Sequence, residues 1–142
     1  MDFELYRLSN ELIFVRWGQN PDSTSVNAYL QTLEKLLDTA NHKLYFISDL
    51  GSADISDRRA LHRLAELTWH HHWGGSVAYG QGMNARAYAD VVRHRAAPVH
   101  HSDLMWGVEQ ALDYLESLKP GVTATIDREV MELLYGYASV GG

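Results

Sequence analysis

A chain of 142 residues, 46% hydrophobic and 21% charged, can bury one core of ordinary size and leaves little room for a second domain. Its 0 cysteines exclude disulfides and thiolate metal sites, and a formal net charge of -6 argues against a general nucleic-acid binder, which needs a basic face to neutralise phosphates. No run reaches the roughly 18 apolar residues of a membrane helix, and the acidic start Met1-Asp2-Phe3-Glu4 lacks a signal peptide's layout, so the expectation is a cytoplasmic protein with no membrane span.

Phe3 to Leu8 alternates apolar and polar residues and reads as a strand; Ser9-Asn10 is a turn signal, and Leu12 to Trp17 reads as the returning strand of an antiparallel hairpin. Gly18 to Ser23 is a loop. Val26, Tyr29, Leu30, Leu33, Leu36 and Leu37 then form one apolar stripe on a helix, with Ser23 or Thr24 as its expected N-cap. Leu44-Tyr45-Phe46-Ile47 is a short apolar run, the pattern of a central strand buried on both faces. A long helix is expected from about Asp54 to Trp73, buried through Leu61, Leu64, Ala65 and Thr68 and ended by Gly74-Gly75. Ser76 to Tyr79 reads as a brief strand, Gly80-Gln81-Gly82 as a turn, and Met83 to Arg93 as a helix. Pro98 to His101 reads as a weak edge strand, because proline cannot donate to a ladder. Ser102 is placed to cap a helix through Met105, Val108, Leu112, Leu115 and Leu118 that stops at Pro120-Gly121.

The order predicts an α/β fold: a small mixed sheet of about five strands, the hairpin first and parallel crossovers after it, flanked by about four helices. Residues 1–121 form that domain. Residues 122–142 add an extension in which Val130, Leu133, Leu134 and Tyr137 share a helical face, to be packed on the domain or on a partner subunit.

Over roughly residues 3 to 118 this succession resembles the STAS fold, in particular the SpoIIAA-like family of small bacterial proteins. The likeness is carried by the hairpin Leu12 to Trp17, the strand Lys43 to Leu50 and the helix beginning near Ser56. The resemblance implies a non-enzymatic regulatory or protein-interaction module that needs no cofactor. It also implies a phosphorylatable serine at the start of the helix after an acidic strand end, and Ser56 in Asp54-Ile55-Ser56-Asp57 is the matching position. Such regulators carry a serine pair and a glycine there, whereas Ser56 is followed by Asp57-Arg58-Arg59. The alternative role for Ser56 is a helix N-cap.

Three further sites compete with that reading. Asp49, Asp54 and Asp57 cluster on one loop at a strand's C-terminal end, where α/β proteins put their sites, although loop carboxylates are also ordinary turn and cap residues. Gly80-Gln81-Gly82-Met83-Asn84-Ala85 fits G-x-G-x-x-A after a strand, with Asp103 further on and Arg86 nearby; it reads as a tight turn, an anion site or a nucleotide site. The 8 histidines include His70-His71-His72, whose side chains are expected to diverge along a helix end and not to face one ion. His72 and His101 with Asp103 or His94 are the metal candidates instead. Trp17, Trp69, Trp73 and Trp106 are expected mostly in the core, with Trp73 beside Gly74 a candidate for exposure. The expected partner is a protein, with a second copy of the chain, as a homodimer, the first candidate; nucleic acid is not expected.

Overall fold

The computed structural model describes residues 3–51, 53–101, 103–124 and 126. The opening hairpin forms as its alternation requires: β1 (Phe3–Arg7) pairs antiparallel with β2 (Leu12–Trp17), and Ser9 Oγ accepts from the Glu11 and Leu12 N–H groups across the turn. Asp22, rather than Ser23 or Thr24, caps α1 (Ser23–Thr39), its Oδ1 accepting from Ser25 N–H at 2.8 Å. A carboxylate accepts more strongly than a hydroxyl at the positive end of the helix dipole, which favours this start. β3 (Leu44–Gly51) then runs parallel to β2.

α2 (Arg58–Leu67) is ten residues long, much shorter than its apolar pattern suggests. Asp57 caps it, accepting from Arg59 and Ala60 N–H. Buried Thr68 ends it: its hydroxyl donates to Ala65 O and accepts from Ala97 N–H, tying the helix end to a distant loop. Gly74 and Gly75 do not stop a helix; they lie inside β4 (Trp73–Gly80), which pairs parallel with β3. α3 (Met83–Arg93) follows, and α4 (Val108–Leu118) starts at Gly107, later than the sequence suggested.

The sheet is four-stranded, in the order β1-β2-β3-β4, with the first pair antiparallel and the rest parallel. The expected fifth strand is reduced to two parallel bridges, Ser76 with His100 and Tyr79 with Met105. Between them β4 advances three residues (76 to 79) while its neighbour advances five (100 to 105), so the neighbour must bulge out and cannot keep a ladder.

β3 separates two cores. On one face Phe46 and Leu44 meet Val26, Leu30 and Leu33 of α1, Leu61 and Leu64 of α2, and Tyr88 and Val92 of α3. On the other, Tyr45, Ile47 and Val77 meet Val108, Leu112 and Leu115 of α4, joined by Val122 and Ile126. No helix among the described residues is long and apolar enough to cross a membrane. The helix expected after Asp127 lies outside the described residues, as does Ser102.

Candidate functional site

Parallel strands deliver their C-terminal ends to one edge of the domain, and several residues singled out from the sequence gather there. Arg16 of β2, Asp49 of β3 and Tyr79 of β4 stand side by side in register. Arg16 Nε donates to Asp49 Oδ2 at 3.1 Å, and Asp49 Oδ1 accepts from Gly51 N–H at 3.0 Å. Both oxygens of Asp49 are therefore committed to structure, one to an ion pair and one to the turn in which Gly51 takes φ +52°. Burial first, and the Asp49 charge second, push the Tyr79 phenol upward, so it stays protonated.

The loop carboxylates are divided by what they do. Asp57 caps α2, while Asp54 is exposed, its own N–H bound to Gln19 O. Ser56 is exposed, one residue ahead of the cap and free of that role. A phosphate there would lie next to Asp57, Arg58 and Arg59.

The Gly80-Gln81-Gly82 turn opens into a cleft lined also by Arg86, Leu104, Met105 and Trp106. Gly80 sits in close packing: a Cβ there would stand 3.3 Å from both Ala85 Cβ and Leu50 Cβ. Gly82 takes φ +98°, a left-handed conformation that side chains resist, and leads into α3 without a side-chain cap. Met105 holds the far wall, donating its N–H to Ala78 O and accepting from Gly80 N–H. Trp106 is 71% exposed and Met83, next to Gly82, is 88% exposed. Trp106 therefore lies outside the core, contrary to the expectation from its sequence. Its position was legible: it precedes Val108 by two residues and so falls off the stripe Val108, Ala111, Leu112, Leu115. Trp69 is likewise exposed, with its indole N–H donated to Arg95 O, whereas Trp17 and Trp73 are buried.

The histidines separate into distinct environments. His100 is half-buried against Ser76, and His101 packs edge-to-face with the Tyr114 ring, its Nδ1 accepting from Asp103 N–H. His72 precedes β4, at the opposite end of the sheet from Gly80. Among the described residues the only metal-capable group of three is His70, His71 and His72, so His72 is not joined to His101 and Asp103. The expectation that the three consecutive histidines diverge is overturned, because they occupy a tight turn beyond the helix instead of its last turn.

Compared with known proteins, the chain matches no family model, no curated protein and no solved structure.

Proposed function

We propose that this chain is a non-enzymatic interaction module of the STAS or SpoIIAA-like kind, engaging a partner protein at the carboxyl edge of its sheet. The observation that carries the reading is the exposure of Trp106 and Met83 beside the Gly80–Gly82 cleft. They are two of the four large hydrophobics left exposed among the described residues. A large aromatic side chain standing in water is costly to the isolated molecule and is the residue type that anchors protein interfaces. Two of the three carboxylates at the same edge, Asp49 and Asp57, are engaged in an ion pair and a helix cap, which supports binding over acid–base chemistry. Self-association into a dimer is included in the reading, and Ser56, exposed on the β3–α2 connection at that same edge, is its regulatory residue.

The test places a photo-crosslinking amino acid at position 106 in the full chain in its native cells. A discrete crosslinked protein, lost when Met83→Asp is added, supports the reading; a crosslink to a second copy of the chain identifies the dimer. Crosslinking no greater than at exposed Lys35 overturns it. Absence of phosphate on Ser56 by mass spectrometry under every growth condition removes the regulatory part alone.

A second reading draws on the start of α3 beside Arg86, which has no side-chain cap and whose helix dipole favours a small anion. Millimolar phosphate or nucleotide raising the thermal midpoint, with the rise abolished by Arg86→Ala, would favour it.

A further inference from the structure

The amino edge of the sheet carries a second arrangement that the proposed interaction edge does not use. After α2 the chain folds through a turn closed by Trp73 N–H bonding to His70 O at 2.9 Å, with His71 and His72 at its centre. The turn gathers the three rings: His70 and His71 stack with centroids 4.6 Å apart, and the tilted His71 and His72 rings have centroids 4.0 Å apart. One ring nitrogen from each histidine falls within 4.8 Å of the others. Tetrahedral coordination with bonds of ~2.0–2.1 Å puts nitrogens about 3.3 Å apart, so small side-chain rotations would close the set.

The hydrogen bonds fix how each ring is presented. His72 Nδ1 lies 2.8 Å from Leu37 O; a carbonyl only accepts, so Nδ1 carries the proton and Nε2 presents a lone pair. A backbone carbonyl holding the far nitrogen is the usual support of a metal-binding histidine. His71 is exposed, and no hydrogen bond among the described residues occupies either of its ring nitrogens. His70 Nδ1 accepts from His72 N–H at 3.0 Å, which leaves Nε2 to donate to Asp38 Oδ1 at 3.0 Å. To ligate through Nε2, His70 must shift that proton to Nδ1 and give up the His72 N–H contact, and the Asp38 carboxylate it leaves is placed to take a coordination position.

We propose that His70, His71 and His72, backed by Asp38, form a binding site for one divalent transition-metal ion of the imidazole-preferring kind, such as Zn2+ or Ni2+. Nitrogen donors suit these ions and not Mg2+ or Ca2+, which take oxygen ligands. The site lies at the start of β4 and the proposed interaction edge at its end, roughly 25 Å away by the rise of an eight-residue strand. The two proposals therefore stand or fall separately.

The experiment is calorimetric titration of Zn2+ into the full chain, made without an affinity tag and stripped with chelator, at pH 7.5. We expect one ion per chain with a dissociation constant below about 10 μM. His71→Gln, at an exposed ring whose only ring contacts among the described residues are to the other two histidines, should weaken binding at least tenfold, and Asp38→Asn by about 10-fold or more. His94→Gln should leave it unchanged, and Mg2+ should give no heat. Co2+ bound in place of Zn2+ should show visible absorption bands of nitrogen ligation that His72→Gln removes while circular dichroism reports an intact fold. Absence of saturable binding, or binding that survives both His71→Gln and His72→Gln, overturns the proposal.

Discussion

Ser76, buried, and His100, half-buried, show how a single pair couples this fold to pH. Trp73 Nε1 can only donate, so Ser76 Oγ accepts from it at 2.9 Å and turns its own proton to His100 Nδ1 at 2.8 Å. Burial, and secondarily the neighbouring His101, pull the His100 pKa down from 6.5 to about 4. The unfolded chain therefore binds a proton between those two values that the folded chain does not. This contribution to stability is complete above pH 6.5 and is lost as pH falls toward 4, a loss on the order of 3 kcal/mol. His100→Gln keeps a hydrogen-bonding side chain beside Ser76 and cannot titrate. Urea denaturation across pH 4 to 7.5 should show a shallower acid decline in the variant than in the wild type. Equal slopes would mean that the folded protein protonates His100 freely. The pair was not legible in the sequence, because Ser76 and His100 meet only through the bridge between β4 and the segment beside it.

At the scale of elements, interiors were legible and ends were not. The stripes of α1 and α4, the hairpin alternation and the two-sided burial of β3 follow from local periodicity, which a sequence displays directly. The ends are decided by competition between neighbouring caps and by distant partners. Asp22 and Asp57 outcompete the adjacent serines, and Thr68 stops α2 because Ala97 N–H reaches its hydroxyl. The failed fifth strand is the same lesson: its two extra residues appear only once its partner's length is known. These assignments separate two substitutions one residue apart. Asp57→Ala should destabilise the protein by about 1 kcal/mol, and Ser56→Ala should change stability by less than about 0.5 kcal/mol. Denaturant titration of both variants checks this; a larger loss for Ser56→Ala would move the cap.

Across the whole molecule, the layers are spaced by where β4 has no side chains. Gly74 and Gly75 read as a helix stop in the sequence, yet they are the places where the α4 face closes on the sheet. A Cβ on Gly74 would stand 2.6, 2.8 and 2.9 Å from three atoms of the Tyr45 ring, which is buried and wedged in the α4-side core. A Cβ on Gly75 would collide with Leu118 Cδ1, but Leu118 is 37% exposed at the end of α4 and can swing toward water. The two sites of interest are spaced by the same strand, and neither was legible as a whole. The glycine turn and the histidine run were visible, but Trp106 and Asp38 join them only through the fold. The difference between the glycines gives an ordered prediction. Alanine in a strand recovers about 0.5–1 kcal/mol of backbone entropy relative to glycine, so Gly75→Ala should be nearly neutral or cost about 1 kcal/mol. Gly74→Ala should cost about 2–3 kcal/mol, because the aromatic ring has nowhere to go. Tyr45→Leu, which shortens that side chain, should recover part of the Gly74→Ala loss, so the double variant is more stable than the sum of the two single effects. Denaturation midpoints of the four proteins decide it; strict additivity would mean that the ring and the strand backbone do not touch in solution.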